Sequence, residues 1–129
     1  MFVSNDSFKV ELFYRTGKNS SIKILTSLDG ISDDDKPKYK KATFEFRPLD
    51  WKKFNELGRA ANKGGELDWG AYKEKKLVTA LVGWDAKDDK GVAIPLTPDN
   101  VLKLHPMIAE TLLSEFDRLT LLGEEEKKN

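Results

Sequence analysis

An α+β fold follows from three features of the chain. Residues 8–15 and 41–47 alternate apolar and polar side chains, the period of strands buried on one face. From Trp51 onward the apolar residues recur at three- and four-residue spacing, the period of helices. Strands come first and helices second, an order that favours a sheet with helices packed against it over alternating βαβ units. The expectation is an N-terminal antiparallel β-hairpin plus a third strand within residues 8–47, then three to four helices within residues 50–122. These form one domain over residues 1–123, followed by a charged tail at 124–129.

The first strand reads FKVELFYR, with Phe8, Val10, Leu12 and Tyr14 on one face and Lys9, Glu11 and Arg15 on the other; Phe13 breaks the polar face. Residues 16–21 (TGKNSS) make a turn, and Ile22-Lys23-Ile24-Leu25 resumes the β pattern, which predicts the hairpin. Residues 27–41 are acidic and then basic without periodicity, and read as an exposed, solvated loop. In the third strand Ala42, Phe44 and Phe46 point inward, and Pro48, which cannot donate to a ladder, ends it.

Asp50 is the predicted N-cap of the first helix, its carboxylate accepting from free first-turn amides, with Trp51, Phe54, Leu57 and Ala61 as the apolar stripe. Gly64 or Gly65 then supplies the left-handed conformation that closes a helix. Leu67-Asp68-Trp69 repeats the opening tripeptide Leu49-Asp50-Trp51 and starts a second helix. Residues 77–84 (LVTALVGW) suit either helix or strand, and the lysine-rich approach with little β-branching favours helix as far as Val82. Thr97-Pro98-Asp99 carries three helix-start signals: a hydroxyl cap, a proline where no N–H is needed, and a negative charge at the positive dipole end. His105-Pro106 interrupts this short helix and begins a longer one, striped by Ile108, Leu112, Phe116 and Leu119 and capped by Gly123. The most hydrophobic segments meet in residues 77–101, around which the other elements pack.

The totals exclude several function classes. Twenty-two basic residues balance 22 acidic ones, so no net field draws the chain to nucleic acid or an anionic membrane. With no cysteine, the sequence excludes disulfides, thiolate metal sites and cysteine nucleophiles. Met1-Phe2-Val3 runs at once into polar residues, which is no signal peptide, and no apolar run is long enough to span a bilayer. Cytoplasmic residence is the expectation.

Catalytic and metal motifs fail on spacing. A Ser/His/Asp triad has only His105 to use, and a lone histidine beside a helix start is a cap or surface residue first. The acidic loop Asp85–Gly91 misses the calcium-loop register, with Lys87, Lys90 and Leu96 where a ligand, glycine and glutamate belong. Asp33-Asp34-Asp35 diverge on a loop and form a solvated patch. Gly17-Lys18 lacks the glycine a phosphate loop needs five residues earlier, where Leu12 stands, and Asn19 follows where serine or threonine belongs. Lysines 36, 38, 40 and 41 around Tyr39 are the best nucleic-acid candidate, but the adjacent aspartates cancel their field. No catalytic, cofactor-binding or metal residue is assigned. The tryptophans remain: Trp51, Trp69 and Trp84 are core residues or anchors of a partner surface, and tryptophan on an amphipathic stripe is more often core.

Three segments resemble one family in their order and spacing. KKATFEFRPLDWKKFNEL resembles a strand, an Arg-Pro-Leu link and a helix. LVTALVGWD resembles an apolar stretch ending in Gly-Trp-Asp, and DDKGVAIPLTPDNVLKL a glycine turn, Pro-Leu and a Thr-Pro helix start. Together, from Lys41 to about Phe116, they resemble the tail assembly chaperones of long-tailed bacteriophages. The resemblance implies a non-enzymatic protein of the infected bacterial cytoplasm that holds the tape-measure protein soluble, recruits tail-tube protein, and self-associates. Trp69, Trp84, Leu112, Leu113, Phe116 and Leu119 are the residues expected to meet a partner. The alternative is a permanent structural or adaptor protein of a phage tail or baseplate.

Overall fold

The computed structural model describes residues 1–122. Four strands form one antiparallel sheet: β1 (Phe8–Thr16), β2 (Ile22–Leu25), β3 (Lys40–Phe46) and, arriving much later in the chain, β6 (Leu81–Trp84). Their order is β2-β1-β3-β6. A two-stranded ribbon, β4 (Asn62–Lys63) with β5 (Glu66–Leu67), links helices α1 (Trp51–Ala60) and α2 (Trp69–Ala80). Helices α3 (Pro98–Val101) and α4 (Pro106–Asp117) follow, and α4 runs into a π turn at Arg118–Leu122. The fold class is α+β, as the sequence predicts.

The sheet buries one face. Val10 and Leu12 of β1 and Phe44 and Phe46 of β3 sit in one core cluster with Leu57 of α1, Leu77 and Ala80 of α2, and Ile108, Leu112 and Phe116 of α4. The period-two alternation decides this, because it sends every second side chain to the same side. Phe8, Phe46 and Phe116 close a triangle of rings with centroids 5.4–6.0 Å apart, joining β1, β3 and α4. Each sequence-predicted N-terminal cap forms. Asp50 accepts from the Lys53 amide at 2.9 Å, Asp68 from Ala71 at 3.0 Å, and Thr97 from Asn100 at 3.2 Å.

Four expectations are corrected. The second helix ends at Ala80, not Val82, and Leu81–Trp84 becomes a strand. That strand completes the sheet: Phe44 pairs with Trp84 and Glu45 with Gly83, where a side chain would press to 3.3 Å of the Glu45 Cβ. Gly64 and Gly65, at φ 60° and 87°, turn the β4–β5 ribbon instead of closing α1, whose cap residue Ala61 keeps right-handed geometry. The 27–41 loop is not wholly solvated: Leu28, Ile31, Asp35 and Tyr39 are half-buried, and Arg15 lies over the Tyr39 ring at 5.7 Å. Trp51 is 82% exposed and takes no part in the core. The predicted Gly123 cap and the 124–129 tail lie outside the described residues.

Candidate protein-docking site

α2 holds this surface together because it is apolar on more than one side. Leu77 and Ala80 are buried against the sheet, while Trp69, Ala71 and Val78 face outward between the neighbouring helices. A helix of that kind needs cover on both faces. On one flank a cleft of about 460 Å³ runs between α1, α2 and the start of α3, with Leu57, Ala60, Ala71, Val78, Pro98 and Leu102 on its walls. On the other flank a cleft of about 470 Å³ lies between α2 and α4, walled by Trp69, Tyr72 and Leu113. A smaller cleft of about 310 Å³ joins them, sharing Leu102 with the first and Leu113 with the second. The three clefts adjoin one another around α2, forming a broken furrow.

Trp69 stands at the mouth of this furrow. As the first residue of α2 it precedes the turns that pack, so its indole is 65% exposed, held edge-on to Tyr72 with centroids 5.8 Å apart. Leu102 is also exposed, as the residue after α3. The rim carries Lys53, Glu56, Glu74 and Lys75 on one flank. On the other, Lys73 pairs with Glu110 at 3.1 Å across α2 and α4.

Beneath Trp69 lies Lys76, a buried cation. Only 7% of the residue is exposed, and its ammonium sits 5.3 Å from the Phe54 ring centroid, 5.7 Å from that of Tyr72 and 5.8 Å from that of Phe116. Asp117 completes the shell at 2.7 Å. Rings from α1, α2 and α4 thus share one charge, and the aromatic quadrupoles and carboxylate replace the water it lost. Read in sequence, Lys76 belongs to a solvated lysine run. The signal that would have found it is its place one turn from both Tyr72 and Ala80, on the inward side.

The expected partner residues divide. Trp69 is exposed and Leu113 is half-buried in the furrow wall. Leu112 and Phe116 are 0% and 1% exposed, so these two expectations are corrected: they are core residues, because the 108–112–116 spacing is the inward stripe of α4. Leu119 is half-buried against the same core at the far end of α4, away from the furrow. Trp84 is also turned inward. Its ring is half-buried and its Nε1 donates to the Ile94 carbonyl at 2.8 Å, fixing the 85–94 loop. Sequence reasoning missed Ala71, Val78 and Leu102, which lie on no single helical stripe.

The chemistry-bearing groups serve the fold. His105 Nδ1 accepts from the Met107 amide at 3.1 Å, and its Nε2 donates to the Ser20 carbonyl at 2.8 Å, tying the start of α4 to the β1–β2 turn. Asp88 accepts from the amides of Lys90 and Val92, and Asp85 accepts from the Thr43 amide at 2.9 Å, lengthening the β3–β6 ladder. Among the described residues no three His, Asp or Glu side chains gather to hold a metal ion, and no helix is long and apolar enough to cross a membrane. The carboxyls of Asp35 and Asp68 are held below their usual range, Asp35 by Lys38 and Ser32, and Asp68 by the Ala71 amide and Lys63. What this arrangement offers is an apolar channel with a charged rim, suited to an apolar side of another polypeptide. Compared with protein-family models, curated proteins and solved structures, the chain has no significant match.

Proposed function

We propose that the protein is a non-catalytic tail assembly chaperone of a long-tailed bacteriophage, acting in the cytoplasm of the infected host. Its tasks are to bind the tape-measure protein and to recruit tail-tube subunits. The observation that carries the reading is the open furrow beside α2, with Trp69 exposed at its mouth. The three segments that resemble the chaperone family also converge on it, since the Trp51-to-Leu57 helix, the residues before Gly83-Trp84 and the Thr97-Pro98 helix start supply its walls.

The physical logic is one of temporary cover. A long tape-measure helix with apolar stripes aggregates unless something occupies them, and a furrow between helices accepts such a stripe. Weak contacts repeated along one scaffold add by avidity, and polymerising tube protein displaces them one at a time. Co-expression with the tape-measure and tube proteins of the same phage, followed by affinity capture, tests this. The expected result is a soluble tape measure retained with the chain, and finished virions free of it by mass spectrometry. A tape measure that is neither captured nor solubilised sinks the reading. Stoichiometric presence in virions replaces it with a permanent tail or baseplate component.

A further inference from the structure

β1 is longer than the strand that covers its outer edge. It pairs with β3 from Phe8 to Tyr14, but with β2 only from Phe13 to Thr16. Among the described residues, the first five of the strand, 8–12, therefore have a ladder on one side alone.

Hydrogen bonds at the two ends of the sheet fix which groups face the gap. The Gly17 amide donates to the Ser21 carbonyl at 2.8 Å across the hairpin turn. Backbone groups alternate sideways along a strand, so odd-numbered residues of β1 direct N–H and C=O toward β2. Thr43 gives the same parity from the other side: its N–H and C=O both engage Asp85, at 2.9 and 3.2 Å, so even-numbered residues of β3 face β1. Their partners Val10 and Leu12 are even as well. Lys9 and Glu11 thus aim two N–H and two C=O groups into the gap. There a cleft of about 490 Å³ is bounded by Thr26 and Ser27 where the chain leaves β2, and by Glu115, Arg118 and Leu119 of the α4 region.

We propose that this edge is a dimer interface, with residues 8–12 of β1 pairing antiparallel to the same residues of a second copy about a two-fold axis at Val10. Charge complementarity singles out the occupant and the register. With the axis at Val10, Lys9 of each copy lies opposite Glu11 of the other, and cross-strand pairs of opposite charge stabilise while like pairs destabilise. Moving the axis to residue 9 or 11 sets lysine against lysine or glutamate against glutamate. In the chosen register the two copies exchange all four open backbone bonds. The two β2 strands do not collide, since each covers only positions beyond residue 12. A two-fold contact closes on itself, so the product is a dimer and not a fibre.

The edge shares no residue with the α2 furrow, so this inference and the chaperone reading fail separately. The test uses the full chain alone, by sedimentation velocity over a concentration series with amide exchange in parallel. The wild type is expected to dimerise, with exchange at the Lys9 and Glu11 amides slowing as dimer forms. Lys9→Glu weakens association at least about tenfold by opposing like charges twice, and adding Glu11→Lys restores it. Lys9→Pro removes one gap-facing N–H per copy without touching the β3 ladder, and gives a folded monomer by circular dichroism. A monomeric wild type at every concentration overturns the proposal. So does a dimer indifferent to Lys9→Glu and Lys9→Pro, or one that leaves the two amides exchanging freely.

Discussion

At the scale of single residues, burial and partnership separate side chains that look alike in the sequence. Lys73, Lys75 and Lys76 stand close together in one run, yet only Lys76 is buried, among three rings and Asp117. Lys76→Ala removes the stem that fills this space and the charge that the rings attract, and is expected to cost about 2 kcal/mol in urea unfolding. Lys76→Met keeps the stem, leaves the half-exposed Asp117 hydrated, and costs roughly half as much. Equal losses for the two would assign the effect to charge alone. Asp68 makes a prediction of a different kind. The Ala71 amide and the Lys63 ammonium hold its carboxyl below the ordinary 3.8. Because the folded-state value is the lower one, its contribution is complete above the ordinary carboxylate range and disappears as pH falls through the lowered value. Asparagine caps helices as well but carries no charge. Asp68→Asn should therefore lose less stability than the wild type between about pH 5 and pH 2, as read by thermal melts across that range.

At the scale of elements, local chemistry was readable and pairing choice was not. Asp50, Asp68 and Thr97 announce their helices because a cap is decided by the side chain and the first-turn amides alone. β1 and β3 are legible because their alternation is clean. β6 is not, since Leu81 and Val82 fit a helix as well as a strand, and the open edge of β3 settles the matter from 35 positions away at the Phe46–Leu81 pair. Trp51 misled for a geometric reason. Steps of three drift backward by about 60° each at roughly 100° per residue, so Trp51 stands about 120° from Leu57 on α1. In the candidate site, Trp69 was legible as a large apolar residue at a helix start and Leu113 as one on the apolar face of the last helix. The furrow itself was not, because its walls come from three helices whose packing no single stripe reports. Two substitutions probe this level. Gly58 lies inside α1 with nothing within 4 Å of an added Cβ, so Gly58→Ala should raise stability by about 0.5–1 kcal/mol in chemical unfolding. Trp84→Phe keeps one aromatic ring, trims the indole and removes the bond to Ile94. It is expected to cost about 1 kcal/mol and to speed amide exchange in the 85–94 loop while the other strands keep their protection.

At the scale of the whole molecule, the sheet and the helices divide the work. One sheet face, with α1, α2 and α4 upon it, supplies a core in which Leu12, Phe46, Leu112 and Phe116 are all but sealed. That core leaves Trp69 and Leu102 outside it, each projecting from a helix end with most of its surface in water. Large apolar side chains kept in water beside adjoining clefts mark a surface shaped for something else. Stability and docking are therefore expected to separate. Trp69→Ser and Leu102→Ser together should leave the melting temperature within about a degree or two of the wild type, since surface substitutions of this kind stay near ±0.5 kcal/mol. In the co-expression assay the same pair should abolish retention of the tape-measure protein, because a few aromatic and aliphatic anchors carry most of a contact's free energy. Full retention by a folded double variant would place the docking surface elsewhere. Lost folding would instead show that these two side chains belong to the core, contrary to their exposure.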